Sequence, residues 1–285
     1  MKVETFFDKA TGTFTHVVWD EGTREAAVID PVLDFDPASG RTGTASAEAV
    51  AAFAGQAGLN VRYLLETHVH ADHLSAAQFL KTRLRAKLGI GHRIREVQQT
   101  FADIFNFDAK ELAADEDFDL LLKEGDELAL GSRKIRVLAT PGHTPACVAY
   151  FAGDAVFVGD TLFMPDSGTA RCDFPGGDAA RLYRSIQKLF RLPKETAVYL
   201  CHDYGAGGKR AVAHRTTIAE EMAHNIHVGG GRTEAEYVRM RRERDATLGV
   251  PHLLLPAIQV NLRGGKLPRP EANGVSYFKI PVNRL

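Results

Sequence analysis

His68-Val69-His70-Ala71-Asp72-His73 follows directly on the apolar stretch Val61-Arg62-Tyr63-Leu64-Leu65-Glu66-Thr67. Three imidazoles and a carboxylate crowd into six residues at the end of what reads as a strand. Imidazole nitrogen and carboxylate oxygen are the donors that suit zinc, iron and manganese, and a turn leaving a strand end can converge several of them on one point. Histidines scattered on a solvated loop are the competing reading. The rest of the chain argues against it, because further ligand types recur in the same setting. His143 lies in Ala139-Thr140-Pro141-Gly142-His143-Thr144, Asp160 ends Phe157-Val158-Gly159-Asp160, and His202 follows Ala197-Val198-Tyr199-Leu200-Cys201. Each follows a short apolar run, so four strand ends are expected to present ligands along one rim of a sheet.

Working outward, residues 1–30 alternate short apolar runs (Val3–Phe7, Phe14–Trp19, Ala26–Asp30) with turn residues, the pattern of a strand meander. Residues 31–45, with Pro31, Pro37, Gly40 and Gly43, read as a loop, after which Ser46 is expected to cap an alanine-rich helix running toward Gly58. Leu74, Ala77, Leu80, Leu84 and Leu88 recur at helical spacing with Gly89 as a stop, which places His73 at the first turn of an amphipathic helix. His92–Phe107 reads as loop and short helix, and Asp115–Asp119 as an acidic surface run. Strands return at Leu128–Leu130, Ile135–Val137, Val148–Phe151 and Ala155–Val158. Asp178 is expected to cap a helix that buries Leu182, Ile186, Leu189 and Phe190 before the last strand reaches His202. Residues 211–247 read as helical, broken at Gly229-Gly230-Gly231, and the proline-containing tail as wrapping the same domain. Two blocks of strands and helices with ligands on one rim imply an α/β fold, a four-layer αββα sandwich.

The chain has 285 residues, enough for one large core or two modest domains, and a formal net charge of −1. That balance leaves no electrostatic footprint for a phosphate backbone, so no nucleic-acid partner is expected, and Arg239–Arg244 reads as the solvated face of a helix. No basic segment followed by a long apolar core opens the sequence, and no stretch approaches the ~20 apolar residues that span a bilayer. Cys147, Cys172 and Cys201 are odd in number and far apart, which suits reduced thiols. The expectation is a soluble cytoplasmic protein without a membrane partner; a homodimer stays open.

Taken in order, His68-x-His70-x-Asp72-His73, His143, Asp160 and His202 resemble the signatures of the metallo-β-lactamase superfamily, over about residues 3–205. The resemblance implies a metallo-β-lactamase-like catalytic domain over residues 1–210, with residues 211–285 packed on it as helices and tail. Gly168-Thr169-Ala170-Arg171-Cys172-Asp173-Phe174 and Cys201-His202-Asp203-Tyr204 look like the persulfide dioxygenase (sulfur dioxygenase) branch related to the ethylmalonic encephalopathy protein. Leu255-Pro256-Ala257 and Asn261 fall where that branch has a similar element; Met164-Pro165-Asp166-Ser167 is longer than in the animal enzyme, which bears on pocket shape. Glyoxalase II carries Glu where Asp203 stands.

What the resemblance implies is one Fe(II) per chain held by His68, His143 and Asp160. His70, Asp72, His73 and His202 then surround the ligands or occupy a second metal position. Two histidines and one carboxylate leave open positions on a redox-active metal, where a persulfide and O₂ can meet. Two zinc ions sharing Asp160 generate a hydroxide instead. The implied reaction takes glutathione persulfide, O₂ and water to sulfite and glutathione. Arg171 is the expected grip on a glutathione carboxylate, with an ion pair to Asp173 as its competing role, and Tyr204 the expected hydroxyl donor to the substrate backbone. Cys172 and Cys201 read as non-catalytic, Asp203 as orienting a loop or a histidine, and His16, His92, His214, His224, His227 and His252 as surface or core histidines. The rival readings are a two-zinc thioester hydrolase of glyoxalase II type and, in another class, a non-catalytic sulfide or metal sensor, which calls for a lost ligand or a long interaction tail.

Overall fold

The computed structural model describes residues 1–108 and 111–284. The N-terminal meander is present as the antiparallel strands β1 (Lys2–Asp8), β2 (Thr13–Trp19) and β3 (Glu25–Ile29). Residues expected as loop instead pair as a hairpin, β4 (Val32–Asp36) with β5 (Arg41–Gly43). Helix α1 (Ala45–Gln56) then begins one residue before the expected cap: Ser46 lies inside it and donates its hydroxyl to Asp34, while Thr44 at the N-cap position donates to Glu48 instead of capping. Strand β6 (Asn60–Leu65) delivers the histidine loop, which ends in β7 (Leu74–Ser75), paired to β4. His73 therefore precedes the helix, α2 (Ala77–Leu84), instead of sitting in its first turn. The helical reading also overran its end: Arg85 turns left-handed (φ 54°), and Leu88 and Gly89 belong to strand β8 (Lys87–Gly91). Helices α3 (Ile94–Phe105) and α4 (Ala114–Asp117) and strand β9 (Leu120–Leu122) complete this half, with Asp117 buried in what reads as an acidic surface run.

The second half opens with four consecutive antiparallel strands, β10 (Glu127–Leu130), β11 (Arg133–Ala139), β12 (Val148–Ala152) and β13 (Ala155–Phe157). Helix α5 (Ala179–Leu189) starts at Asp178, whose carboxylate accepts the Arg181 amide at 3.0 Å as its sequence position suggests. Strand β14 (Ala197–Tyr199) runs parallel to β13 and leads to His202. After the one-turn α6 (Gly205–Gly208), the segment expected to be helical first adds an edge strand, β15 (Arg215–Thr217). Helices α7 (Ile218–His224), α8 (Glu234–Asp245) and α9 (Leu254–Asn261) follow.

Two six-stranded sheets result, ordered β1-β2-β3-β6-β8-β9 and β10-β11-β12-β13-β14-β15. Val18, Ala27, Ile29 and Leu65 of the first meet Leu130, Ile135, Val137, Tyr150 and Phe157 of the second in one buried interface. Burying each such large side chain is worth about 1.5–3 kcal/mol, which fixes the register of both sheets. On the outer face of the first sheet lie α1, α2, α3 and α9, and on that of the second α5, α7 and α8. This is the four-layer αββα sandwich. At one rim the sheets are tied together by a bridge between Thr13 and His202 and by the Phe14 amide donating to the Cys201 carbonyl at 2.7 Å. Among the described residues, no helix is long and apolar enough to cross a membrane.

Candidate metal centre

The three expected ligands, His68, His143 and Asp160, and the four residues expected around them or at a second metal position, His70, Asp72, His73 and His202, converge on that rim. They form two groups whose ligating atoms lie within 4.8 Å of one another: His68, His143 and Asp160, and beside them His70, Asp72, His73 and His202. Asp160 joins the two. One of its oxygens stands 3.8 Å from His68 Nε2 and 3.7 Å from His143 Nε2, the other 3.4 Å from His202 Nε2.

Each of four imidazoles has one nitrogen engaged by the protein, which fixes the ring and turns the other toward the centre. Thr67 Oγ1 lies 3.0 Å from His68 Nδ1, the Arg171 carbonyl accepts from His143 Nδ1 at 2.8 Å, Asp30 accepts from His70 Nε2 at 3.0 Å, and Thr13 Oγ1 lies 3.2 Å from His202 Nδ1. Asp30, at the end of β3, also accepts the Thr67 amide at 2.7 Å and the Thr67 hydroxyl at 2.8 Å. Sequence reading missed Asp30; its only signal is a carboxylate closing an apolar strand just before Pro31.

Backbone approach is equally constrained. Gly159 has φ +52°, and a Cβ there would meet Thr67 Oγ1 at 2.4 Å; at Gly142 (φ +148°) it would meet the Leu182 backbone at 2.3 Å. These glycines let the turns bearing Asp160 and His143 close on the centre. From the other side Asn261 of α9 donates to the His70 and His73 carbonyls, both at 2.8 Å.

His68 Nε2, His70 Nδ1, His73 Nε2, His202 Nε2 and Asp160 Oδ1 are buried without a hydrogen-bond partner among the described residues. Buried polar atoms in such number are expensive unless something binds them, so the donor set fits a cation of the first transition row. Electrostatics distinguish the groups. Burial, then the neighbouring His70 and His143, hold His68 well below its ordinary pKa, so it stands neutral and ready to ligate. Burial also disfavours charge on His202, but the Asp72 and Asp160 carboxylates overrule it and push its pKa up to about 9. His202 Nε2 sits 2.9 Å from Asp72 Oδ2.

The centre opens into a cavity of about 870 Å³, to which Asp72, His143, Asp160 and His202 contribute from the rim. Phe163, Phe174 and Leu248 give it apolar walls. Arg171 lines it too, its guanidinium held by both Asp173 oxygens at 2.6 Å and by the Gly249 carbonyl at 2.6 Å. The competing ion pair is thus real, yet only three of the five N–H groups are engaged. Tyr204, 61 % exposed, stands at the mouth with its ring parallel to that of His202. Asp203 orients a loop, pairing with Arg210 and accepting the Ala213 amide at 2.7 Å. Cys172 and Cys201 are buried, and burial raises both thiols far above their ordinary range, so neither is a ready nucleophile. Within Arg239–Arg244, Arg241 departs from the solvated-face reading, being only 1 % exposed and paired with Asp245.

Residues 9–202 match the family model described as the metallo-beta-lactamase superfamily. The chain is 52 % identical, over 100 % of both chains, to the "Probable metallo-hydrolase BURPS1710b_2304" of Burkholderia pseudomallei. It is 46 % identical to "Glyoxylase B2" of Dictyostelium discoideum, over 100 % of this chain and 98 % of that one. To the human mitochondrial "Persulfide dioxygenase ETHE1" it is 31 % identical, over 70 % of this chain and 66 % of that protein. The crystal structure of ETHE1 from Myxococcus xanthus superposes with a TM-score of 0.74 at 31 % identity, covering 93 % of this chain and 100 % of that one. With its αββα sandwich and its ligands in register, the chain belongs to the metallo-beta-lactamase superfamily, in the branch that holds the ETHE1 proteins.

Proposed function

We propose that the protein is an iron-dependent persulfide dioxygenase that converts glutathione persulfide, O₂ and water to sulfite and glutathione. The observation that carries this reading is the three-donor face of His68, His143 and Asp160, set beside the cavity in a chain akin to ETHE1. Bound there, a ferrous ion supplies oxygen activation and open positions for two small ligands.

The chain's own residues do the rest. Thr67 and the Arg171 carbonyl hold the His68 and His143 rings so that both Nε2 atoms face Asp160. Asp173 and the Gly249 carbonyl fix the Arg171 guanidinium at the cavity wall, leaving two N–H groups for a glutathione carboxylate. Tyr204 offers its hydroxyl at the mouth to the substrate backbone. Phe163 and Phe174 exclude water from the sulfur end.

A second reading, a two-zinc hydrolase acting on a thioester, is favoured by the completeness of the second group and by its buried, unpartnered His70 Nδ1 and His73 Nε2. Metal analysis of protein purified without added metal, joined to an oxygen-electrode assay, decides. About one iron per chain with O₂ uptake on glutathione persulfide is the expected result. Two zincs per chain, with thioester cleavage and no O₂ uptake after iron reconstitution, would refute it. His68→Ala is expected to abolish both metal binding and turnover; full activity in that variant would exclude this centre altogether.

A further inference from the structure

The segment from Gly168 to Cys172 has no secondary structure of its own, yet Thr169, Ala170 and Cys172 in it are buried. Its backbone groups are satisfied by side chains that arrive much later in the sequence. Asn225 donates to the Gly168 carbonyl at 3.0 Å, and His227 Nδ1 accepts the Thr169 amide at 2.9 Å. From α8, Arg241 donates to the Thr169 carbonyl at 3.0 Å and Asp245 accepts the Cys172 amide at 2.9 Å. The Tyr237 hydroxyl, also on α8, meets Thr169 Oγ1 at 2.8 Å. Arg241 and Asp245 are bound to each other at 2.6 Å, 1 % and 5 % exposed.

Between Thr169 and Cys172 lies Arg171, whose carbonyl accepts from His143 Nδ1 at 2.8 Å. That bond sets the plane of the His143 ring and leaves Nε2 toward Asp160. We infer that the buried Arg241–Asp245 pair of α8 is a positioning device for the metal ligand His143, acting through the backbone of residues 169–172. The pair lies outside residues 9–202, so the part of the chain beyond the family match completes the metal site. A buried ion pair is weak evidence for stability in itself. Here each partner also hydrogen-bonds the backbone of the segment that holds His143. Because His143 ligates under either the one-iron or the two-zinc reading, the inference survives the failure of the proposed reaction.

The test uses the full chain stripped of metal and titrated with cobalt(II), whose visible absorption reports ligand geometry. Asp245→Asn keeps the side chain's shape but turns an amide toward the Cys172 N–H and leaves Arg241 without its counter-charge. Cobalt affinity is expected to fall roughly ten-fold or more, with the absorption bands displaced. Arg184→Ala removes the exposed ion pair between α5 and Glu234 of α8 without touching the segment, and is expected to leave affinity and bands as in the parent. If Asp245→Asn does not fold, Tyr237→Phe deletes only the hydroxyl on Thr169 and is expected to shift the same bands by less. Parental affinity and spectrum in the folded Asp245→Asn protein, or in Tyr237→Phe, would overturn the inference. So would an equal loss in Arg184→Ala, which would mark the pair as a prop for α8 alone.

Discussion

Replacing Asn261 by alanine removes the one side chain that grips the histidine loop from α9. Its amide donates to the His70 and His73 carbonyls and its oxygen accepts the Ser75 amide, all at 2.8 Å. At about 1 kcal/mol net each, the three bonds together are worth about 3 kcal/mol. Water cannot replace them readily, because Asn261 is 4 % exposed and His70 and His73 0 %. Leaving two carbonyls and an amide unsatisfied raises the expected loss to about 5 kcal/mol. For a chain of this size that lowers Tm by roughly 10–20 °C. Urea unfolding of the metal-free protein is the assay, since bound metal would add its own linkage to the midpoint. An unfolding free energy within about 1 kcal/mol of the parent's, at equal slope, would refute the reasoning and mean that water enters the loop freely.

Two further perturbations follow from the same structure. Burial, with Asp166 and Glu220 adding to it against the Asn225 hydrogen bond, pushes the Glu221 carboxyl up to about 8 from an ordinary 4.5. Folding therefore takes up a proton between those values, and stability should fall as pH rises through that window, by at most about 1.4 kcal/mol per unit. Glu221→Gln removes this slope. His16 and His227, both held near 4 by burial, slope the opposite way but are common to both proteins, so the difference between their unfolding curves isolates Glu221. A flat difference from about pH 5 to pH 8 would show the carboxyl ionised in the fold. Arg171→Ala is expected to raise KM for glutathione persulfide roughly ten-fold or more with little change in kcat. Metal content should be unchanged, because Arg171 serves His143 through its backbone; an unaltered KM would remove Arg171 from substrate capture.

The candidate ligands were legible because each stands just past a short apolar run; the expectation of a single sheet was too simple, for the histidine loop leaves the first sheet and His143, Asp160 and His202 leave the second, at one shared rim. The hairpin β4–β5 was not, since its prolines and glycines look like a loop and its pairing depends on the two residues of β7. Strand β8 was hidden by the chance that Leu84 and Leu88 continue a helical spacing; only the left-handed turn at Arg85 breaks it. The residues that aim the ligands were harder still. Asp30 and His70 are 40 positions apart, and Asn261 and His70 are 191 apart. No local pattern encodes such pairings, which arise only when the sheets close. Arg241 illustrates the limit: in sequence it is one arginine in a basic helical stretch, and in the fold it is among the largest fully buried side chains.

The reach of Asn261 across 191 positions imposes an order on biosynthesis. A nascent chain displays every nitrogen and oxygen donor once His202 has left the ribosome, well before α9 is made. Until then the His70–His73 loop lacks the amide that holds two of its carbonyls. A message cut short before α9 would yield a polypeptide with a full set of donors but without the grip on the loop that carries four of them.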